Sequence, residues 1–341
     1  MTTALAAATP SLARRLTSSE DGAALVSFCL LALLPMLLSG YLIYILPQYM
    51  LHGIMAMSLA LLWGRGGVLS FGQAGFYTIG AYTMGLAYIW VPLVNPAYAG
   101  MVVSLIIGGL LAAVLGYFLF SAGVRSAYFV IVTLAVSIIV RQVAVSQSQI
   151  TGGWNGMYID RMSLTLGDRI NFSLFDDAPM YYFVLAIVTA VYLVLRWLAG
   201  AKFGKVLVGI RENEDRVLSL GFNVSHYKTA AFAIAGAISA FAGALYGTNA
   251  GFVAPALADV NFSTEVVVWV AIGGRSSLLS AFLAAIAVSL LSNYLSALIP
   301  AYWPLILGTL FVAVIIFFRG GVAGAISRWN QGRVARSAAN G

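Results

Sequence analysis

Long apolar runs separated by short polar breaks set the pattern of this chain. A helix needs about 20 apolar residues to cross a hydrocarbon core. Eight runs reach or approach that length: Ala24–Leu46, Phe76–Val94, Tyr98–Phe120, Ala127–Gln149, Pro179–Leu198, Thr229–Ala250, Leu278–Ile299 and Tyr302–Phe318. Two shorter runs, Met50–Trp63 and Ser263–Ile272, are ambiguous by length. The polar stretches are an Ala/Ser/Thr-rich start over residues 1–22, Ile159–Ala178, Ala199–Lys228 and a tail after Arg319. This pattern predicts an all-α, polytopic transmembrane helical bundle over residues 23–319, with polar tails over 1–22 and 320–341.

Charge and parity settle the short runs. The tail carries Arg319, Arg328, Arg333 and Arg336 without acids, and Ala199–Lys228 carries five basic residues, so the positive-inside rule places both in the cytoplasm. Ile159–Ala178 holds Asp160, Asp168, Asp176 and Asp177 against Arg161 and Arg169, and belongs outside. The N-terminal tail, with Arg14 and Arg15 beside Glu20 and Asp21, is placed inside. An odd number of crossings must then precede Ile159–Ala178, which makes Met50–Trp63 a span. An even number must follow Ala199–Lys228, which makes Ser263–Ile272 another. The expectation is about ten spans with both termini cytoplasmic. The first apolar run is too long for a signal-peptide core and lacks a small-residue cleavage pattern, so it is read as an uncleaved span.

Fourteen helical residues from Met50 to Trp63 reach only about 21 Å, short of a core of about 30 Å. Glycines at 64, 66, 67, 72 and 75 follow. The second short run ends at Gly273, Gly274 and Arg275 and carries Glu265 near its start. Irregular backbone at membrane depth is tolerated where it is buried in protein or lines a polar cavity, and paired broken helices often mark a transport pathway. Ordinary glycine-rich turns between spans are the competing reading. Small residues in Ala235–Gly247, with Gly243 and Gly247 spaced for close helix approach, indicate a tightly packed bundle.

Composition narrows the function classes. The chain is 61% hydrophobic with a mean hydropathy of +0.95, beyond what a soluble domain of this length can bury. Its net charge of +7 reads as an orientation signal rather than nucleic-acid binding. A lone Cys29 and two histidines leave no disulfide framework and no metal cluster. There is no GxxxxGK[ST] loop, no HExxH and no GxSxG, so the sequence nominates no catalytic residue and no metal site. Arg141, in the outer half of its span, can snorkel to the interface. Mid-membrane acids, which proton- or sodium-driven carriers usually need, are scarce. Energy then comes from a partner, or the protein is a passive pore.

The window Ala199–Lys228 holds eight charges in a chain that is 9% charged. As one helix, Lys205–Leu220 would place Leu207, Ile210 and Val217 on one side, with Glu214 interrupting the stripe. Glu212 and Arg216 would form an i,i+4 pair, and Gly221 is a natural stop. Two short helices hinged near Asn213 fit equally, since Asn caps helix N-termini well. A solvated loop and a handle for a soluble partner are both open readings.

Four blocks carry a family resemblance: LLWGRGGVLSFGQAGFYTIGAYTMG at Leu61–Gly85, TGGWNGM at Thr151–Met157, GKVLVGIRENEDRVLSLGFNVSHYK at Gly204–Lys228, and WVAIGGRSSLLSAFLAA at Trp269–Ala285. Together they resemble the permease subunits of branched-chain amino acid ABC importers of the LivM type, and the related urea and short-amide permeases are similar. The likeness spans roughly Leu51 to Arg328. It implies an inner-membrane permease working with a second, homologous permease, two cytoplasmic ATP-binding subunits and a periplasmic solute-binding protein. It also implies that ATP is used by those partners, that this chain binds no cofactor, and that solute specificity resides mainly in the binding protein. Gly204–Lys228 then becomes the ATPase-coupling segment, with Arg211, Glu212, Asn213, Glu214, Asp215 and Arg216 as contacts. Arg65 and Gln73 depart from the family pattern, which often has a small or aromatic residue and a His there. Candidate path residues are Ser70, Gln73 and Tyr77 in or after the Gly-rich break, Thr151, Trp154 and Asn155 at the outer end of a span, and Glu265. Tyr82 and Trp154 fit interfacial anchoring as well. The alternatives to amino acid import are urea or short-amide import, or a stand-alone small-solute channel or carrier.

Overall fold

The computed structural model describes residues 12–37, 40–91, 95–124, 126–166 and 170–300, with scattered positions from 302 to 324. In chain order the helices are α1 (Leu12–Leu37), α2 (Tyr41–Gly66), α3 (Gln73–Trp90), α4 (Pro96–Ser121), α5 (Ser126–Ser146), the single turn α6 (Ser148–Thr151), α7 (Asp177–Gly200), α8 (Lys202–Glu212), α9 (Glu214–Ser219), α10 (Val224–Ala250), α11 (Val260–Gly273) and α12 (Leu278–Leu298). Strands β1 (Met157–Tyr158), β2 (Ser163–Leu166), β3 (Ile170–Ser173) and β4 (Phe252–Val253) are short. β1 pairs antiparallel with β4, and β2 with β3. Most of the expected span Tyr302–Phe318 and the tail after it lie outside the described residues.

Seven described helices (α1, α2, α4, α5, α7, α10 and α12) are long and apolar enough to cross a membrane, and α11 is a shorter apolar helix. Helix α4 shows why the chain packs as a lipid-embedded bundle. Ala97, Gly100, Ser104, Gly108, Ala112 and Gly116 are its buried positions, while Val102, Ile106, Leu110 and Phe118 are exposed. Large apolar side chains gain nothing by leaving lipid for protein, so small residues that let backbones approach take the interior. The small-residue stripe of α4 meets α10 there, where Gly108 lies against Gly236 and Ala240. Helix α2 is apolar on nearly every side and accordingly sits in the middle of the bundle, buried from Ile45 to Gly66 with few interruptions.

Contacts among helix ends sort those ends into two sets. At one end Arg196 of α7 binds Glu20 at 2.6 Å and Asp21 at 2.8 Å of α1, and Ser121 of α4 lies 3.2 Å from Ser225 of α10. At the other, Arg161 lies over the Tyr44 ring at 5.4 Å, Asn95 donates to the Ser163 carbonyl, and Arg141 of α5 approaches Asp259 at 3.7 Å. Helix α7 links the sets, running from the acidic stretch at Asp177 to the charged stretch at Gly200. The two polar stretches therefore lie at opposite ends of the bundle.

One boundary differs from the sequence reading. Met50–Trp63 is not a short span but the inner part of the 26-residue α2, which begins at Tyr41 after Gly40 and continues through Pro47. Proline is tolerated within membrane helices because neighbouring groups take up the freed backbone carbonyl. The first apolar run correspondingly ends at Leu37 rather than Leu46. The break itself falls between Gly66 and Gln73, within the Gly-rich stretch Gly64–Gly75 that the sequence marks. The second short run is confirmed as short, since α11 has 14 residues.

Candidate functional site

The break after α2 is built from two devices. Gly67 takes a left-handed conformation (φ 70°, ψ 10°) that closes the helix, its N–H donating to the Trp63 carbonyl at 3.1 Å and that of Val68 to Leu62 at 3.4 Å. This is a C-cap that glycine adopts without a Cβ penalty. The backbone that follows is irregular, and α5 satisfies it. Thr133 Oγ1 accepts from Phe71 N at 3.1 Å, Ser137 Oγ donates to the Phe71 carbonyl at 3.1 Å and accepts from Gly75 N at 3.2 Å. Ser70 Oγ accepts from Gly72 N at 3.1 Å, so Ser70 serves the turn itself. Irregular backbone at this depth requires such partners.

Gln73, the first residue of α3, is 1% exposed. Its Oε1 accepts from Ser239 Oγ of α10 at 2.5 Å and from Ser58 Oγ of α2 at 3.4 Å, and the two hydroxyls lie 2.9 Å apart. Three helices are joined by one buried polar knot. One turn on, Tyr77 is fully buried beside His52 of α2, their rings 6.0 Å apart. His52 is the centre of an aromatic cluster, stacked on Trp269 at 5.1 Å and on Tyr246 at 5.8 Å, with Phe262 edge-on at 5.3 Å. Its Nδ1 lies 3.5 Å from Ser289 Oγ. The Tyr77 hydroxyl, His52 Nε2, Gln73 Nε2 and Trp269 Nε1 are buried without a hydrogen-bond partner. Buried polar groups are normally paired, so this interior is a polar locus rather than plain packing. Glu265 shares α11 with Phe262 and Trp269 and is partly buried.

The other path candidates lie elsewhere. Thr151 Oγ1 donates to the carbonyls of Ala144 at 2.5 Å and Gln147 at 2.9 Å, ending α6. Trp154 is 69% exposed in the 3-10 turn Gly153–Asn155, with the Arg141 guanidinium 5.3 Å from its ring centroid. Arg141 thus reaches toward Asp259 and Trp154 at this end of the bundle. The structure brings Ser70, Gln73 and Tyr77 together in the interior and puts Thr151, Trp154 and Asn155 in the loop at the Asp259 end.

The charged stretch forms two helices, α8 and α9, hinged at Asn213, whose backbone is extended (φ −158°, ψ 104°). Asn213 Oδ1 accepts from Arg216 N at 2.9 Å, capping α9. Leu207, Ile210 and Val217 are buried as one apolar face. The expected Glu212–Arg216 pair does not form, because the extended hinge interrupts the i,i+4 geometry. Glu212 pairs with its neighbour Arg211 instead, and Glu214 with Lys228 of α10 at 2.6 Å. Arg211 also turns inward to the Gly64 carbonyl of α2 at 2.5 Å. Arg211, Glu212, Glu214, Asp215 and Arg216 are all exposed. Asn213→Ala removes the cap at a cost of about 1 kcal/mol. Amide exchange over residues 214–219 should accelerate about fivefold in that variant while α10 keeps its protection.

His52, Ser58, Ser239 and Trp269 were not singled out from the sequence. His52 had a signal, being one of two histidines and set in an apolar run. Ser58 and Ser239 had none, since each becomes a partner only when α2 and α10 meet.

The comparisons with known proteins agree with this geometry. The family described as "Branched-chain amino acid transport system / permease component" matches residues 41–315. The "High-affinity branched-chain amino acid transport system permease protein LivM" of Escherichia coli is 32% identical over 305 residues, covering 83% of this chain and 70% of that protein. Its namesake from Salmonella typhimurium is 30% identical with the same coverage. A probable LivM of Methanocaldococcus jannaschii is 26% identical over 264 residues, 68% of this chain and 75% of its own length. No solved structure matches the chain. With its multi-pass bundle, its polar break at membrane depth and a family match over most of its length, this chain belongs to the permease component family of branched-chain amino acid transport systems.

Proposed function

We propose that this chain is the membrane-spanning subunit through which an ATP-driven importer moves branched-chain or other hydrophobic amino acids delivered by a periplasmic binding protein. It works beside a second, homologous permease and two cytoplasmic ATP-binding subunits in the bacterial inner membrane, with both termini cytoplasmic. The observation that carries the reading is the 32% identity with a high-affinity branched-chain amino acid permease over 83% of the chain. Two structural features support it. The knot of Gln73, Ser58 and Ser239 and the His52 cluster put polar groups among apolar walls, as passage of a small amphiphilic solute requires. The hinged pair α8–α9 presents Glu212, Asp215 and Arg216 to solvent at the end opposite the acidic loop, where a soluble ATPase can dock.

Reconstitution in liposomes tests this reading. The complete set of subunits should take up leucine only with ATP. Uptake of urea without leucine would reassign the substrate to the urea and short-amide branch, and ATP-independent uptake by this chain alone would overturn the importer reading. Glu212→Lys combined with Asp215→Lys reverses two exposed charges and leaves the buried face of α8–α9 intact. Substrate-stimulated ATP hydrolysis should be lost while membrane insertion is kept, and normal stimulation would sink the docking role.

A further inference from the structure

Arg211 is exposed like the rest of the charged stretch, yet one of its bonds reaches into the bundle. Nη1 donates to the Gly64 carbonyl in the last turn of α2 at 2.5 Å, and Nε donates to Glu212 Oε1 at 3.1 Å. The last carbonyls of a helix lack partners within it. Gly67 and Val68 close those of Trp63 and Leu62, and Arg211 takes that of Gly64. A cation is favoured at this end of the helix dipole, and a charge-assisted bond is stronger than a neutral one. The stem of Arg211 rests on the break itself, where a Cβ at Gly67 would come within 2.8 Å of its Cγ.

The same turn of α2 backs onto the second short helix. A Cβ at Gly64 would collide with the carbonyl of Arg275, in the turn between α11 and α12. Gly66, Gly67, Arg211, Arg275 and Ser276 help line an open cleft of about 550 Å³ at this junction. Three things therefore meet at the end of α2: the charged helix α8, the break that leads to Gln73, and the turn that ends α11. Upstream on α2 lie Ser58 and His52, and on α11 lie Glu265 and Trp269.

We infer that Arg211 is a positioning residue that transmits displacement of α8–α9 to α2 and thereby to both interrupted segments of the interior. The inference rests on the reading that α8–α9 is where the ATPase docks. Arg211 is then the linkage at the edge of the docking face, and the docking contacts themselves are left to Asp215, Arg216 and Glu212. A helix is stiff along its axis, so a shift imposed at Gly64 reaches Ser58 and His52. It reaches α11 through direct backbone contact at Arg275, with no flexible side chain between.

The test uses the complete reconstituted importer and measures solute moved per ATP hydrolysed, together with co-purification of the ATPase subunits. Arg211→Ala should lower solute per ATP by about tenfold or more, the effect of losing one bond to a charged group, while the ATPases still co-purify. Arg211→Lys, which can offer a single charged donor to the Gly64 carbonyl, should recover part of that ratio. A folding defect would lower uptake and hydrolysis together and leave the ratio alone. An unchanged ratio in Arg211→Ala overturns the inference, as does loss of co-purification, which would make Arg211 a docking contact. Asp215→Lys, at an exposed position on α9, separates the two claims. Lost stimulation in that variant beside an unchanged ratio in Arg211→Ala would leave docking standing and remove the linkage. Normal stimulation and co-purification in Asp215→Lys would remove docking, and with it the basis of the linkage.

Discussion

Gly243→Leu is expected to prevent assembly of the bundle. Helices α3 and α10 cross with their backbones in contact at two places. A Cβ at Gly243 would strike the carbonyl of Tyr77, and a Cβ at Gly80 would strike that of Ala240. The colliding atoms are main chain on a buried helix, so no rotamer change relieves them. Overpacking a filled interior costs about 1–3 kcal/mol, and a full leucine against backbone belongs at or above the upper end of that range. The loss would be felt at the polar knot as well, because Ser239 on α10 and Gln73 on α3 are held 2.5 Å apart by this crossing. The measurement is the monodisperse fraction in detergent and its thermal midpoint. Gly22→Ala is the control, since a Cβ there meets nothing within 4 Å, and a helical Gly→Ala change should be neutral or mildly stabilising. A Gly243→Leu protein as stable as the parent would contradict the α3–α10 crossing.

Gln73→Glu is expected to abolish uptake. The side chain is buried between three helices, with Oε1 already accepting from Ser239 and, at longer range, from Ser58. An ionised carboxylate there retains the acceptor but has no cation shown beside it. An acid near the bilayer centre costs about 2.5–3.5 kcal/mol on insertion scales, against a total stability of about 5–15 kcal/mol for an ordinary domain. Gln73→His should keep most of the activity, because an imidazole nitrogen can accept from Ser239. Uptake assayed at equal amounts of folded protein decides the matter. If the Glu variant transports as well as the parent, a neutral acceptor at position 73 is not required for uptake.

The two substitutions draw on different kinds of knowledge. Gly243 was visible in the sequence as part of a small-residue pattern, and that pattern does mark a helix crossing, although the partner helix had to be seen. The hinge at Asn213 was also visible, since a capping residue in the middle of a charged amphipathic stretch offered a two-helix reading beside the one-helix reading, and the backbone takes the former. The Glu212–Arg216 pair belonged to the one-helix reading and disappears with it. Position 73 departs from the pattern of the family the sequence resembles, but nothing in the sequence identifies its partners. Nothing local distinguishes Ser58 or Ser239 from the other hydroxyls of the spans.

What the chain alone determined is the membrane class, the order of apolar segments, the Gly-rich first break, the short second segment at Ser263–Ile272 and the segregation of the two polar stretches. These follow from transfer free energy and charge placement, which act residue by residue along the chain. The tertiary structure decided where α2 begins. Pro47 can stop a helix in water and does not do so inside a packed bundle. It also decided that Thr133 and Ser137 of α5 satisfy the broken backbone, that four helices converge on His52, and that Arg211 bonds to the end of α2. Each of these is a hydrogen bond or ring contact between residues far apart in the chain. In lipid such contacts depend on which small residues let two helices approach, and that is a property of the pair rather than of either helix.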